Sequence, residues 1–223
     1  MRIHKLVLLS LSTILFASCG RDGGMRITTN TFANKEVIPY GFKPGDSFSI
    51  STKQKGDQLF AKEVSQKIAS ILTNKGFKLK SPHAADYNLR FSFGMKKSTH
   101  VRDVPVFIPD YGHWHYHHYY HPYGFGYRVA YVPEEYTLFN KILLIEVNKN
   151  RRFLTTKSTP VWQGTAHSYE EDSDLRDAID YLLITVFRYF GVNTKKYMKS
   201  IMDEGDKEVE RLRQEYFKPV TTF

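Results

Sequence analysis

The stretch "YTLFNKILLIEV", residues 136–147, is apolar on successive positions around Ile142 to Ile145 and so needs cover on both faces. A strand of that kind has neighbours on each side, which places it at the centre of a sheet. Other strands arrange themselves around it. "DYNLRFSF", residues 86–93, sets Tyr87, Leu89, Phe91 and Phe93 against Asn88, Arg90 and Ser92, the alternation of a half-buried strand. "VWQGTAHSY", residues 161–169, alternates Trp162 and Ala166 against Val161, Thr165 and His167, and can pair with the central strand across a long basic connection. "DSFSI" and "FKLK" give two shorter strands.

Two segments switch to helical spacing. Phe60, Val64, Ile68, Ile71 and Leu72 share one face, with Asp57 placed to cap the start and Gly76 the end. From about Ser173, the residues Leu175, Ala178, Ile179, Leu182, Val186 and Phe190 form a second stripe that Gly191 closes. This order predicts an α+β domain over 44–191: a mostly antiparallel sheet, two helices packed on one face, and an aromatic, histidine-rich insert at 96–135 between strands. Pro105, Pro109, Pro122 and Pro133 argue against a central strand within the insert but permit hairpin arms.

Both termini read differently from the domain. Arg2 and Lys5 precede an apolar run from Leu6 to Phe16 and the small residues Ala17 and Ser18, the pattern of an export signal over residues 1–18. The run is shorter than the roughly 20 residues that a membrane-spanning helix needs. The only cysteine, Cys19, falls at the cleavage point within "LFASCG", which resembles a bacterial lipobox and makes Cys19 the expected lipid acceptor. A multiply acylated cysteine anchors stably, each buried methylene being worth about 0.8 kcal/mol. Residues 19–43 are expected to be this cysteine and a flexible tether, and 192–223 a charged tail able to form an exposed helix.

Removing Arg2 and Lys5 takes the formal charge from +9 to +7, so the processed chain stays basic. The expected partners are therefore the membrane, reached through the lipid, and an envelope protein or anionic envelope polymer. Export argues against nucleic acid, the usual partner of a basic cytosolic chain.

The helix ending in "LTNKGFKLK", the strand introduced by "ADYNLRFSF", the stretch "YHPYGFGYRVAY", and the pair "EEYTLFNKILLIEV" and "PVWQGTAHS" follow one another in an order that resembles a family of Gram-negative envelope lipoproteins known only as a domain of unknown function. The resemblance runs from Pro44 to Gly191. It implies a lipid-anchored, periplasm-facing module of binding or structural type, and it brings no catalytic residues. Gly20 lacks the aspartate that marks retention in the inner membrane, so the resemblance implies the outer one. The basic connection 148–160, the histidines and the charged tail depart from the family pattern.

The histidines invite a metal. On an extended strand His113, His115, His117 and His121 point to one side with Tyr119, while Trp114, Tyr116, His118 and Tyr120 face the other. Alternate imidazoles suit Zn, Cu or Ni. No cysteine or well-spaced carboxylate completes the set, because Asp110 and Glu134 lie at its ends. A divalent metal on His113, His115, His117, His118 and His121 is therefore the alternative to a reading with no cofactor. The leading one makes the segment a contact surface built on Trp114, Tyr116, Tyr119, Tyr120, Tyr123 and Tyr127. The basic residues Lys149, Arg151, Arg152 and Lys157 are candidates for phosphate or carboxylate contacts. "PGDSFS" with "DYGH" offers Ser47, Asp110 and His113 to an acyl-transfer mechanism, but Ser47 falls in an apolar strand and the remaining roles are missing. A non-enzymatic chain is expected.

Overall fold

The computed structural model describes residues 24–54, 56–109, 127–150 and 160–217. In chain order its elements are β1 (Met25–Ala33), β2 (Ser47–Thr52), α1 (Gln58–Asn74), β3 (Lys78–Leu79), β4 (Tyr87–Pro109), β5 (Tyr127–Lys149), β6 (Pro160–Glu170), α2 (Leu175–Arg188), β7 (Met198–Met202) and α3 (Lys207–Phe217). The seven strands form one sheet in the order β3-β2-β4-β5-β6-β1-β7. β2 runs parallel to β3 and β4, and the remaining pairs are antiparallel. The fold is α+β with a mostly antiparallel sheet. β5 lies between β4 and β6, as its double-sided apolar run requires.

Register explains the core. Leu89, Phe91 and Phe93 of β4 stand opposite Val147, Ile145 and Leu143 of β5, which continue into Trp162, Gly164 and Ala166 of β6. Phe60 of α1 meets Phe93 edge-on at 4.8 Å. α1 starts where Asp57 accepts from the backbone N–H of Phe60 at 2.9 Å, and stops at Gly76, whose φ of +84° suits a residue without Cβ. Asp174 caps α2 by accepting from the N–H groups of Arg176 and Asp177.

Gly164 makes room for a tryptophan. A Cβ there would meet Cη2 of Trp162 and stand 2.8 Å from Cγ1 of Val186 in α2. The indole lies across the bare backbone of its own strand, and its Nε1 donates to the carbonyl of Val192 at 3.1 Å. The Trp-x-Gly-x-Ala pattern is thus a packing device.

Two stretches differ from the sequence expectation. The supposed tether, 19–43, contains β1, inserted between β6 and β7. Its buried side chains include Thr29 and Thr31, β-branched residues that suit a strand although they read as polar. The supposed tail, 192–223, supplies β7 and α3, and Val209 and Leu212 of α3 belong to the core. Within the expected insert, 96–135, the hairpin arms that its prolines allowed are present: β4 runs on to Pro109 and β5 begins at Tyr127. Pro105 and Pro133 are tolerated because both strands are edges there.

Three helices share one buried ionic network. Lys67 of α1 reaches Asp180 of α2 at 2.6 Å and Glu63 at 2.9 Å, and Arg213 of α3 reaches Asp180 at 3.1 Å. Lys67 and Asp180 are both buried, so each charge depends on the others for the solvation that water would supply.

Candidate contact ribbon and its root

Beyond the sheet, β4 and β5 continue as a pair alone. β2 follows β4 only as far as Phe91, and β6 meets β5 no further out than Phe139. From Ser98–Leu138 to Pro109–Tyr127 the register is unbroken, a two-stranded ribbon roughly 40 Å long at the usual rise per residue. Isolated hairpins are marginal in water, so a ribbon of this length needs fixing at its root.

The root is tied by charge. Arg102 reaches Glu134 across the ribbon at 2.9 Å and Glu171 after β6 at 3.7 Å, with its guanidinium 5.1 Å from the Tyr136 ring centroid. Lys141, almost fully buried, holds Glu170 at 2.7 Å. His100 meets Ser98 through Nε2 at 3.0 Å and lies beside Tyr136, consistent with a hydrogen-bonded surface histidine.

Side-chain character changes along the ribbon's length. Its first part carries Arg102, Asp103, Glu134 and Glu135, whereas residues 104–108 and 129–132 hold only aliphatic, proline and aromatic side chains. Alternation puts Val104, Val106 and Ile108 on one face and Pro105 and Phe107 on the other, so both faces are apolar. Phe107 is 68% exposed and Tyr131 69%. Single exposed hydrophobics are ordinary, whereas a contiguous two-sided patch is not. Pro105 stands opposite Tyr131, and Pro133 opposite Asp103, two residues along. A proline cannot donate across a ladder, so both pairs are of the non-hydrogen-bonded kind and both proline nitrogens face the open edges. They deny a further strand its donors there, which favours contact through the faces.

Beside the root lies an open cleft of about 700 Å³, bordered by Gly24, Arg26, Leu138 and Tyr181. Glu170, Glu171, Asp172, Asp177, Asp203 and Glu204 also line it. Lys141, Arg102 and Arg213 neutralise part of this charge from the side. Among the described residues no cluster of His, Cys, Asp or Glu is arranged to hold a metal ion.

The sequence-level candidates fall as follows. Cys19 and the histidines 113, 115, 117, 118 and 121 lie outside the described residues, as do Trp114, Tyr116, Tyr119, Tyr120 and Tyr123, and Arg151, Arg152 and Lys157. Tyr127 is the first residue of β5, opposite Pro109. Ser47 is buried, and its hydroxyl donates to the Asp86 carboxylate, which also accepts from the Ser47 N–H at 3.0 Å. Those bonds pull the Asp86 carboxyl below its ordinary range and commit Ser47 to structure. His83 is exposed. Half-buried His167 has its Nδ1 without a partner among the described residues, and burial lowers its pKa. Residues 104–108 and 129–132 were not singled out from sequence. Their signal is a pair of β-branched runs, "VPVFI" and "VAYV", flanking the aromatic segment.

The family model of DUF4136, a domain of unknown function, matches residues 29–190. The chain belongs to the DUF4136 family. The match begins inside β1 and ends just past α2, so both edges of the ribbon's root fall within the DUF4136 domain. Among solved structures, a PDZ domain protein from Parabacteroides distasonis is similar with TM-score 0.50 at 12% identity over 79% of this chain, which spans 39% of that one. The PelC dodecamer from Paraburkholderia phytofirmans gives TM-score 0.39 at 11% identity, over 75% of this chain and 99% of that one. A DUF4136 family protein from Bacteroides thetaiotaomicron gives 0.38 at 14%, over 70% and 94%. No protein of curated function matches. The first of these likenesses, at TM-score 0.50, concerns the fold alone. Among the described residues no helix is long and apolar enough to cross a membrane.

Proposed function

We propose that this DUF4136 protein is a lipoprotein of the bacterial outer membrane, anchored through Cys19 and facing the periplasm, and that it works as a non-enzymatic contact module. In this reading the three helices back one face of the sheet, and the sheet serves as a rigid mount for the ribbon. The single observation that carries the reading is the β4–β5 ribbon, which holds exposed apolar residues well clear of the core that its own strands build. Natural proteins blunt or cover long edge strands, so a ribbon with apolar faces is kept for what it touches. Its partner is a component of the envelope.

Metabolic labelling with an acyl-chain probe tests the anchor: the wild type takes the label and Cys19→Ser does not, whereas equal labelling would overturn it. Photocrosslinking tests the module. A crosslinker placed at Val106 or Phe107 in intact cells captures envelope material, while one at Leu59, exposed on α1, captures none. Equal capture from the two places would remove the ribbon from the function.

A further inference from the structure

The described chain begins at Gly24, on the border of the cleft beside the ribbon's root. Register fixes that placement. Ile27 of β1 pairs with Ser168 of β6, which pairs with Lys141 of β5, only two residues from the last β5–β6 pair at the ribbon side, Phe139–Glu170. β1 therefore starts at the end of the sheet from which the ribbon leaves. Gly24 is the fifth residue after Cys19, and the five steps of chain between them span at most about 17 Å. A lipid on Cys19 brings this end of the sheet to the membrane, with a ribbon roughly 40 Å long emerging from the same end.

We infer that the apolar end of the ribbon, residues 104–108 and 129–132, embeds in the phospholipid surface to which the chain is tethered. The inference rests on the lipid-anchor reading for its geometry, and on three independent features for its chemistry. The polarity changes along the ribbon and not across it: charges at Arg102, Asp103, Glu134 and Glu135 give way to a stretch of side chains that are apolar on both faces, bounded further out by Arg128, the partner of Ile108. A partner protein lying on one face would leave the other face wet, whereas lipid surrounds both. The second feature is the outward proline nitrogen at position 105, which removes one N–H that lipid could not satisfy within the apolar stretch. Thirdly, tyrosine at 131 is a side chain favoured at the level of lipid headgroups. The carboxylates around the cleft make attraction to anionic lipid the wrong driving force at this end, so the contact is apolar and insensitive to headgroup charge.

The test uses the processed chain, residues 19–223, as Cys19→Ser, which is cysteine-free and carries no lipid. Single cysteines at Phe107 and at His100 are labelled with an environment-sensitive fluorophore, and vesicles of phosphatidylethanolamine and phosphatidylcholine are added. The expected result is a blue shift and quenching by brominated acyl chains at position 107 only, unchanged when phosphatidylglycerol is included. The double substitution Val106→Asp with Tyr131→Asp weakens vesicle partitioning by more than about tenfold, read with the label at 107. No spectral change at 107, or an equal change at 100, would overturn the inference. So would vesicle-independent self-association through these residues in sedimentation, since a second copy would then be the occupant. Because the assay contains no acylated residue, its failure is distinct from failure of the Cys19 labelling experiment.

Discussion

The carboxylate of Asp86 accepts from both the N–H and the hydroxyl of Ser47, and the N–H of Asp86 donates back to that hydroxyl at 3.0 Å. This reciprocal clasp joins the start of β4 to the start of β2, where a parallel pair has no turn to hold its register. It lowers the Asp86 pKa, chiefly through the Ser47 hydroxyl bond and then the Ser47 backbone bond. A carboxyl whose folded pKa lies below its unfolded value stabilises above the unfolded value, and the contribution is lost as pH falls through the folded one. Asp86→Asn should therefore cost about 1 kcal/mol at neutral pH, a figure kept small by the exposure of Asp86. The cost should shrink below about pH 4. Urea unfolding of both proteins at the two pH values checks this.

Gly164→Ala tests the tryptophan's seat. The new methyl would press on the indole of Trp162, almost fully buried, and on Val186 of α2, with no flexible chain end to give way. Overpacking of this kind should cost about 1–3 kcal/mol, and the Trp162 emission should shift with it. An unchanged denaturant midpoint would mean that the strand and α2 separate more easily than their packing indicates.

Asp180 is the hub of the ionic network. Asp180→Ala removes the shared partner of Lys67 and Arg213, and should destabilise by about 3 kcal/mol, because breaking a buried pair leaves charge poorly compensated. The loss should be visible locally as faster amide exchange in α3, which Arg213 helps tie to α2.

α3 brings few apolar side chains to the core, Val209 and Leu212. Leu212→Ala should cost about 2–3 kcal/mol and expose the helix to proteolysis, since Leu212 is buried against the core. A solvated tail would lose nothing, so the midpoint of thermal unfolding separates the two descriptions directly.

Much of the fold was legible because its signals are periodic. The stripes of α1 and α2 and the alternation of Leu89, Phe91 and Phe93 each satisfy one period without conflict, and those elements lie where the sequence puts them. β1 was hidden because it buries threonines: Thr31 donates to the carbonyl of Val192 at 2.8 Å, a partner 161 residues away that no local pattern reveals. α3 was hidden because Val209 and Leu212 are a thin apolar content among charges, and their burial depends on a groove between two other helices. The contact ribbon was hidden for a third reason. Its prolines read as punctuation, and only the register shows that Pro105 and Pro133 sit in pairs where a missing N–H costs nothing.

The unbroken pairing of β4 with β5, from Tyr87–Lys149 out to Pro109–Tyr127, also governs how such a ribbon could change over generations. Side chains alternate with a period of two, so an unpaired single insertion would turn one strand's outer residues over relative to the other's, and with them the apolar faces. A longer or shorter ribbon keeps its orientation relative to the helices only when both strands change together and by an even number of residues. Length is free to drift in this protein only in quanta of two rungs.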